Sequence, residues 1–229
     1  FKELGVTVIR ERARFAGRNT VRSITHHVTS RYIVIATGST PMIPPIAGLD
    51  RTPFHTNETI FSDKEKPDHL LIIGGGPIGI EMAQAHARLG CRVTLVEADT
   101  ILDRDDIELV EILKSRLAEE GITLIEGVGV TKVSKSKRRI MATLVSGVIL
   151  EVSHLFVAIG RRPAIEGLDL GAADIAFTPA GIGTDKRLRT SNKRVFAIGD
   201  VTGRAQFTHV AGYHAGIVIR NILFKLPAK

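Results

Sequence analysis

The stretch that decides the fold is Leu70-Leu71-Ile72-Ile73-Gly74-Gly75-Gly76-Pro77-Ile78-Gly79-Ile80-Glu81-Met82-Ala83. It opens on four consecutive apolar residues, the pattern of a strand buried on both faces. It then passes through Gly-x-Gly-x-x-Gly into a helix expected over Pro77–Leu89. The chain holds 22 glycines, so this spacing alone is a weak signal, and its weight comes from context. The context is present: Arg92–Glu97 reads as the next strand and ends on an acidic residue 18 positions after Gly79.

Each part has a physical role. Gly74 permits the tight turn, and Gly76 lets the backbone approach a pyrophosphate. Gly79 and Ala83 let the helix lie close on the sheet. The helix N-terminus offers free N–H groups and partial positive charge to the phosphates. Glu97 can accept hydrogen bonds from both adenine-ribose hydroxyls and would repel a 2′-phosphate. Ala98 and Asp99 supply no arginine to offset that, so the pattern favours NAD over NADP.

Working outward, apolar and polar blocks alternate along the chain. Upstream, Gly5–Phe15 and Thr20–Val28 read as two strands joined by a turn at Gly17-Arg18-Asn19. Tyr32–Ala36 reads as a buried strand, and residues 41–53 as an irregular linker. Downstream, residues 106–120 have an amphipathic pattern, with Leu109, Val110, Leu113 and Leu117 on one face and Asp103 or Asp105 as cap. Ile122–Glu126 reads as a strand. Val128–Ser134, Ile140–Val145 and Val148–Ser153 read as a small antiparallel excursion. Leu155–Ile159 and Val195–Ile198 are further buried strands, and a last helix spans about Val210–Phe224. Alternating strands and helices imply an α/β fold with a parallel sheet and crossover helices.

Composition narrows the function classes. Apolar residues make up 44% and charged residues 24%, the balance of a globular protein. Cys91 is the single cysteine, which excludes a disulfide scaffold and any dithiol within this chain. The formal net charge is +7. The dense basic stretch Lys132–Arg139 contains no aromatic residue for base stacking and reads as a solvated hairpin turn, not a nucleic-acid patch. The uncharged run Tyr32–Leu49 contains Gly38, Pro41, Pro44 and Pro45, which exclude a spanning helix. No membrane segment is expected, and a cytoplasmic location is.

The histidine spacing offers no metal cluster. His209 and His214 are five apart, and His26 and His27 would point to opposite faces of a strand. Cys91, at the start of a strand, reads as a buried structural thiol. Two further glycine turns, Thr37-Gly38-Ser39 and Gly199-Asp200, sit at strand ends. Spacing alone leaves each open between a turn and a site.

The sequence resembles the flavoprotein disulfide reductase family, which includes dihydrolipoamide dehydrogenase, glutathione reductase and mercuric reductase. The resemblance rests on Tyr32–Pro41 (YIVIATGSTP), Leu70–Ala83, Arg92–Glu97, Leu155–Pro163 (LFVAIGRRP), Thr190–Val201 (ending FAIGDV) and Phe207–Gly216. It implies a Rossmann-like NAD-binding domain over residues 66–163, inserted in an incomplete FAD-binding domain made of residues 1–65 and 164–229. It implies that Gly74, Gly75, Gly76, Pro77, Ile78, Gly79, Ile80, Glu81 and Glu97 bind NAD, with Val130 and Gly160 against its two ends. It also implies that Thr37, Gly38, Ser39 and Asp200 lie at FAD, with Gln206, Phe207, Thr208 and His209 running past the flavin ring.

The family's redox Cys-x-x-x-x-Cys pair, its first FAD-binding glycine motif and its interface domain have no counterpart in these residues. Pro77 stands where several relatives have a tyrosine that shields the flavin. The resemblance therefore implies the central part of a homodimeric oxidoreductase that passes hydride between nicotinamide and flavin, then to a disulfide or small-molecule acceptor. No catalytic residue falls in this part, FAD would be held weakly or not at all, and these residues alone would be inactive. Two other readings are a non-catalytic dinucleotide-binding module and a flavin-free NAD-linked dehydrogenase. The last helix, with Ile217, Val218, Ile219, Ile222, Leu223, Phe224 and Leu226, is too evenly apolar for a free surface. In the family it is covered by domains absent from this sequence.

Overall fold

A computed structural model describes residues 2–226 and 228. In chain order the strands are β1 (Arg14–Gly17), β2 (Thr20–Arg22), β3 (His27–Thr29), β4 (Ile33–Ile35), β5 (Ser39–Pro41), β6 (His69–Ile73), β7 (Arg92–Val96) and β8 (Thr123–Ile125). They continue as β9 (Val130–Ser136), β10 (Arg139–Leu144), β11 (Ile149–Val152), β12 (His154–Val157), β13 (Arg161–Pro163), β14 (Phe177–Thr178), β15 (Gly181–Ile182) and β16 (Val195–Ala197). The α-helices are α1 (Pro77–Arg88), α2 (Ile107–Glu119) and α3 (Thr208–Ile222).

The chain divides into two compact units. One joins Phe1–Thr40 to Arg162–Lys229, and the other is Pro41–Arg161. The second unit thus begins at Pro41, ahead of the Lys66 boundary expected from the sequence. The segment read as an irregular linker is part of it. Ala47 bridges Lys132 of β9, and Leu49 is buried in the same core cluster as Val133, Ile140 and Val152.

The second unit is built on a four-stranded sheet of order β12-β6-β7-β8. All three of its pairings are parallel. Every residue of β6 is buried, as a strand covered on both faces requires. On one face, Ile72, Ile80, Ala83, Val93, Leu95, Val110 and Leu117 form a core with α1 and α2. On the other, Leu71, Ile73 and Val157 pack against the antiparallel sheet β11-β10-β9. This arrangement is Rossmann-like. The basic stretch turns between β9 and β10, with Lys137 in the left-handed region at φ 53°, so it is a hairpin turn as the sequence suggested.

Two readings of α2 are corrected. Asp106, not Asp103 or Asp105, caps α2, its carboxylate accepting from the Glu108 N–H at 3.0 Å. Leu109 of that helix is 66% exposed, while Val110 and Leu117 carry the buried stripe. Residues 109 and 110 lie about 100° apart on a helix, and only 110 points down to the sheet.

In the first unit, the strand expected over Gly5–Phe15 is reduced to β1. Val6 and Val8 alternate correctly but stay about half exposed with no strand partner. The second expected strand is broken at Ser23 to His26 into β2 and β3, and β1-β2-β3 form an antiparallel sheet. β4 and β16 pair in parallel, Val195 opposite Ile33. Their core includes Phe15, Ile35, Leu170, Ile182 and Val195. α3 buries Ile217 and Val218, while Ile219 and, past its end at Ile222, Leu223, Phe224 and Leu226 are about half or more exposed.

Candidate dinucleotide site

The glycine loop leaves the carboxyl end of β6, where open α/β sheets bind ligands. Gly74 has φ +114°, and a Cβ there would fall 2.4 Å from the Ala158 carbonyl oxygen. No side chain is tolerated, which brings the loop against the end of β12. A Cβ on Gly79 would fall 1.9 Å from the Gly74 carbonyl oxygen. The first turn of α1 is therefore seated directly on the loop. Gly76 differs: a Cβ there meets nothing within 4 Å, and its φ is −74°. Neither packing nor backbone conformation demands glycine at that position.

Gly76 is the N-cap of α1, and no side chain caps the helix. Pro77 follows as the first helical residue and carries no N–H. The fixed φ of proline suits that position. The N–H groups of Ile78 and Gly79 lie in the first turn, where helices have no intrahelical acceptors for them. The helix dipole adds positive potential there.

Glu97 follows β7 and is half-buried. Its Oε2 accepts the Gly75 N–H at 2.6 Å, and its Oε1 accepts the Asp99 N–H at 3.0 Å. Both oxygens are thus fixed by backbone donors. A carboxylate has about four lone-pair sites, so two of them stay available for hydroxyl donors. Beside it lies a cavity of about 410 Å³, lined by Pro45, Gly74, Glu97, Gly129, Val130 and Ile159 among others. Val130 lines this cavity. Gly160 follows Ile159 with φ +124°, and its carbonyl accepts the Met42 N–H at 2.9 Å. Glu81 is exposed on α1. Pro45, Gly129 and Ile159 were missed from the sequence, because they reach the cavity through long-range pairing and carry no motif.

The first unit brings its candidate residues together by side-chain stitching. Thr37 Oγ1 donates to the Ala164 carbonyl at 2.8 Å, and the Ala164 N–H donates to the Gly38 carbonyl at 2.9 Å. Ser39 Oγ donates to Asp200 Oδ2 at 2.6 Å. So Thr37, Gly38, Ser39 and Asp200 form one cluster at the carboxyl ends of β4 and β16. Gln206 to His209 lead into α3, and the Phe207 and His209 rings stack at 5.4 Å.

His214 was missed as part of this cluster. Its Nδ1 accepts the Gly199 N–H at 3.1 Å, which fixes the turn carrying Asp200. Burial, with Arg204 nearby, holds its pKa below the usual histidine value. A neutral ring is what an accepting Nδ1 requires.

Cys91 is buried at 7% exposure in the core of the second unit. Burial raises its thiol pKa, with Lys66 opposing. It is an inert structural thiol in this setting.

Histidine spacing offers no metal cluster in the sequence, but folding brings one group of potential ligands together. His55, Asp63 and His154 each place one potential ligand atom within 4.8 Å of the others. No local spacing links them, so only the folded chain reveals the group.

Comparison with known proteins gives the family. Residues 1–215 match the family model described as pyridine nucleotide-disulphide oxidoreductase. The chain is 35% identical over 227 residues to the mercuric reductase of Staphylococcus aureus, covering 97% of this chain and 42% of that protein. It is 36% identical over 203 residues to the dihydrolipoyl dehydrogenase of Chlorobaculum tepidum, covering 86% of this chain and 43% of the other. Among solved structures, the HOCl-induced flavoprotein disulfide reductase RclA from Escherichia coli superposes with a TM-score of 0.89 at 32% identity, over 95% of this chain and 51% of that one. The chain therefore spans about half, or somewhat less, of the length of these relatives. The family's cofactors are a pyridine nucleotide and a flavin. With a family model covering almost all of it, the chain belongs to the pyridine nucleotide-disulphide oxidoreductase family.

Proposed function

We propose that the second unit is the NAD(H)-binding domain of an FAD- and NAD(H)-dependent oxidoreductase, and that the first unit contributes part of its FAD site. In the whole protein, nicotinamide and flavin exchange a hydride, and the flavin passes electrons to a disulfide or another small acceptor. The observation that carries the reading is the Glu97 carboxylate, pinned by the Gly75 N–H at 2.6 Å beside an uncapped helix start. Backbone donors there suit a pyrophosphate, and the fixed carboxylate suits a ribose diol.

The chain's own residues bind and orient. Gly76 leaves room for the phosphates to reach the helix start. Val130 and Ile159 supply apolar walls to the cavity beside Glu97. In the first unit, Ser39 holds the Asp200 carboxylate, which is thereby oriented to accept from ribitol hydroxyls. The chain's single cysteine is buried, so these residues contribute no dithiol to the acceptor side. The homodimeric state that the resemblance implies belongs to the same proposal.

The test is a titration of the 229-residue chain with NADH and with NADPH, followed by nicotinamide fluorescence. NADH should bind at least about tenfold tighter, because a charge-assisted hydrogen bond contributes roughly 1.5–3 kcal/mol and the 2′-phosphate forfeits it. Equal or reversed affinities would overturn the role of Glu97. Absence of binding by either would overturn the site.

A further inference from the structure

We propose that His55, Asp63 and His154 form a binding site for a divalent first-row transition cation of the Zn(II) class, at the end of the parallel sheet opposite the glycine loop. All three residues lie in the second unit, and the inference is independent of the dinucleotide reading.

The placement is fixed by backbone. The His55 N–H donates to the Leu155 carbonyl at 2.7 Å, and its own carbonyl accepts the Val157 N–H at 2.9 Å. This locks His55 alongside β12, whose first residue is His154. Asp63 ends a short 3-10 turn, and its N–H donates to the Ile60 carbonyl at 3.2 Å. The side chains of His55, Asp63 and His154 are 25%, 19% and 22% exposed, so the group is sheltered yet reachable from solvent.

The hydrogen-bond pattern decides what each ligand atom is. Asp63 Oδ1 accepts the Glu65 N–H at 3.1 Å, which leaves Oδ2 for the histidines. His55 Nε2 lies 3.1 Å from that oxygen and His154 Nε2 lies 3.6 Å from it. Ser153 Oγ spends its only proton on the His69 carbonyl at 3.0 Å. It therefore accepts at His154 Nδ1, 2.9 Å away, and that nitrogen carries a hydrogen. Thr59 Oγ1 lies 3.4 Å from both the Thr56 carbonyl and His55 Nδ1, and with its proton on the carbonyl it accepts from a protonated Nδ1 in the same way. In the neutral imidazoles both Nε2 atoms then present lone pairs toward a carboxylate oxygen. A cation between these three acceptors satisfies all of them at once.

The geometry matches a metal. Zn–N and Zn–O bonds of about 2.0–2.2 Å in a tetrahedron put ligand atoms about 3.3–3.5 Å apart; the two nitrogen–oxygen separations of 3.1 and 3.6 Å bracket that value, and the two histidine ligand atoms lie within 4.8 Å of each other. Two imidazoles and one carboxylate, with outer hydrogen bonds on each, are the donor set such a cation prefers. A fourth position remains for water. Asp63 supplies the anionic ligand, as an ordinary aspartate does at neutral pH.

The experiment uses the 229-residue chain without a polyhistidine tag. Equilibrium dialysis against Zn(II) should give one bound ion per chain, and the ion should raise the melting temperature. Asp63→Asn and His154→Gln should each lose at least tenfold in Zn(II) affinity and lose the thermal shift, while His27→Gln, at an exposed site, keeps both. Substoichiometric binding by the unaltered chain, or undiminished binding by both variants, would overturn the site and leave a His–Asp–His ion pair. If either variant is unfolded by circular dichroism, the Co(II) spectrum of the unaltered chain decides. Intense visible bands of tetrahedral nitrogen and oxygen ligation support the site, and the weak spectrum of hydrated Co(II) overturns it.

Discussion

The two ends of one parallel sheet are built by opposite means. At the carboxyl end of β6 and β7, backbone does the work. Glycines bring main-chain N–H groups and a helix start to one place, and a single carboxylate, Glu97, is held by two main-chain donors. At the amino end of β6 and β12, side chains do it. His69 is buried between Thr94 and Glu151, and His55, Asp63 and His154 converge through their ring nitrogens and a carboxylate oxygen. A backbone-built site of this kind suits an anion, while a side-chain-built one suits protons or a cation.

The largest effect is expected where backbone contact is tightest. Gly79→Val places a Cβ 1.9 Å from the Gly74 carbonyl oxygen, which neither partner can yield without moving α1 off the sheet. Overpacking of this kind costs about 3 kcal/mol or more. Chemical denaturation should show that loss, and dinucleotide binding should vanish with it. A variant as stable as the parent chain would mean that the close seating of the helix is not what holds the loop.

Gly76→Val separates ligand from fold at the same loop. The added side chain begins in open space, so stability should change by no more than about 1 kcal/mol. NADH affinity should nonetheless fall at least about tenfold, since the branched side chain occupies the approach to the helix start. Melting temperature and fluorescence titration on one sample give both answers. Unchanged affinity would move the pyrophosphate away from α1.

Glu97→Ala comes next. Removing the carboxylate should weaken NADH by about 10- to 100-fold, the equivalent of one or two charge-assisted hydrogen bonds. NADPH should be weakened less, so the preference between the two narrows. A uniform loss for both nucleotides would show that Glu97 only props the Gly75 N–H.

This contrast also explains what was legible in the sequence. The carboxyl-end site could be read because its chemistry needs glycine at fixed local spacing after an apolar strand. The antiparallel excursion β9–β11 was legible for a similar reason, since each strand carries its own alternation. The amino-end cluster was not legible: Asp63 and His154 are 91 positions apart and meet only because residue 55 pairs beside β12. The start of the second unit at Pro41 was hidden in the same way, as the Ala47–Lys132 bridge is a tertiary fact. Residues 6–13 failed in the opposite direction. Val6 and Val8 alternate correctly, but among the described residues no strand pairs with them.

The smallest effect tests the amino end without any metal. His69 is 7% exposed, with Nε2 at 2.9 Å from Thr94 Oγ1 and Nδ1 at 3.1 Å from the Glu151 carbonyl. Burial lowers its pKa below 6.5, with Arg92 and Arg139 adding to the shift against the Glu151 carbonyl. A histidine whose folded pKa is depressed binds more protons when unfolded. Its contribution is therefore complete above pH 6.5, the unfolded value, and is lost as pH falls below it through the folded pKa. Denaturation midpoints measured from pH 7.5 down to 5 should decline, and His69→Gln should flatten that decline while lowering stability at pH 7.5. The Asp63 pair has the other sign of charge, and its carboxylate protonates only below the ordinary aspartate range, so it leaves this window undisturbed. A slope that persists in His69→Gln would assign the proton uptake to another histidine, with His214, whose pKa burial also lowers, the first to examine by the same substitution.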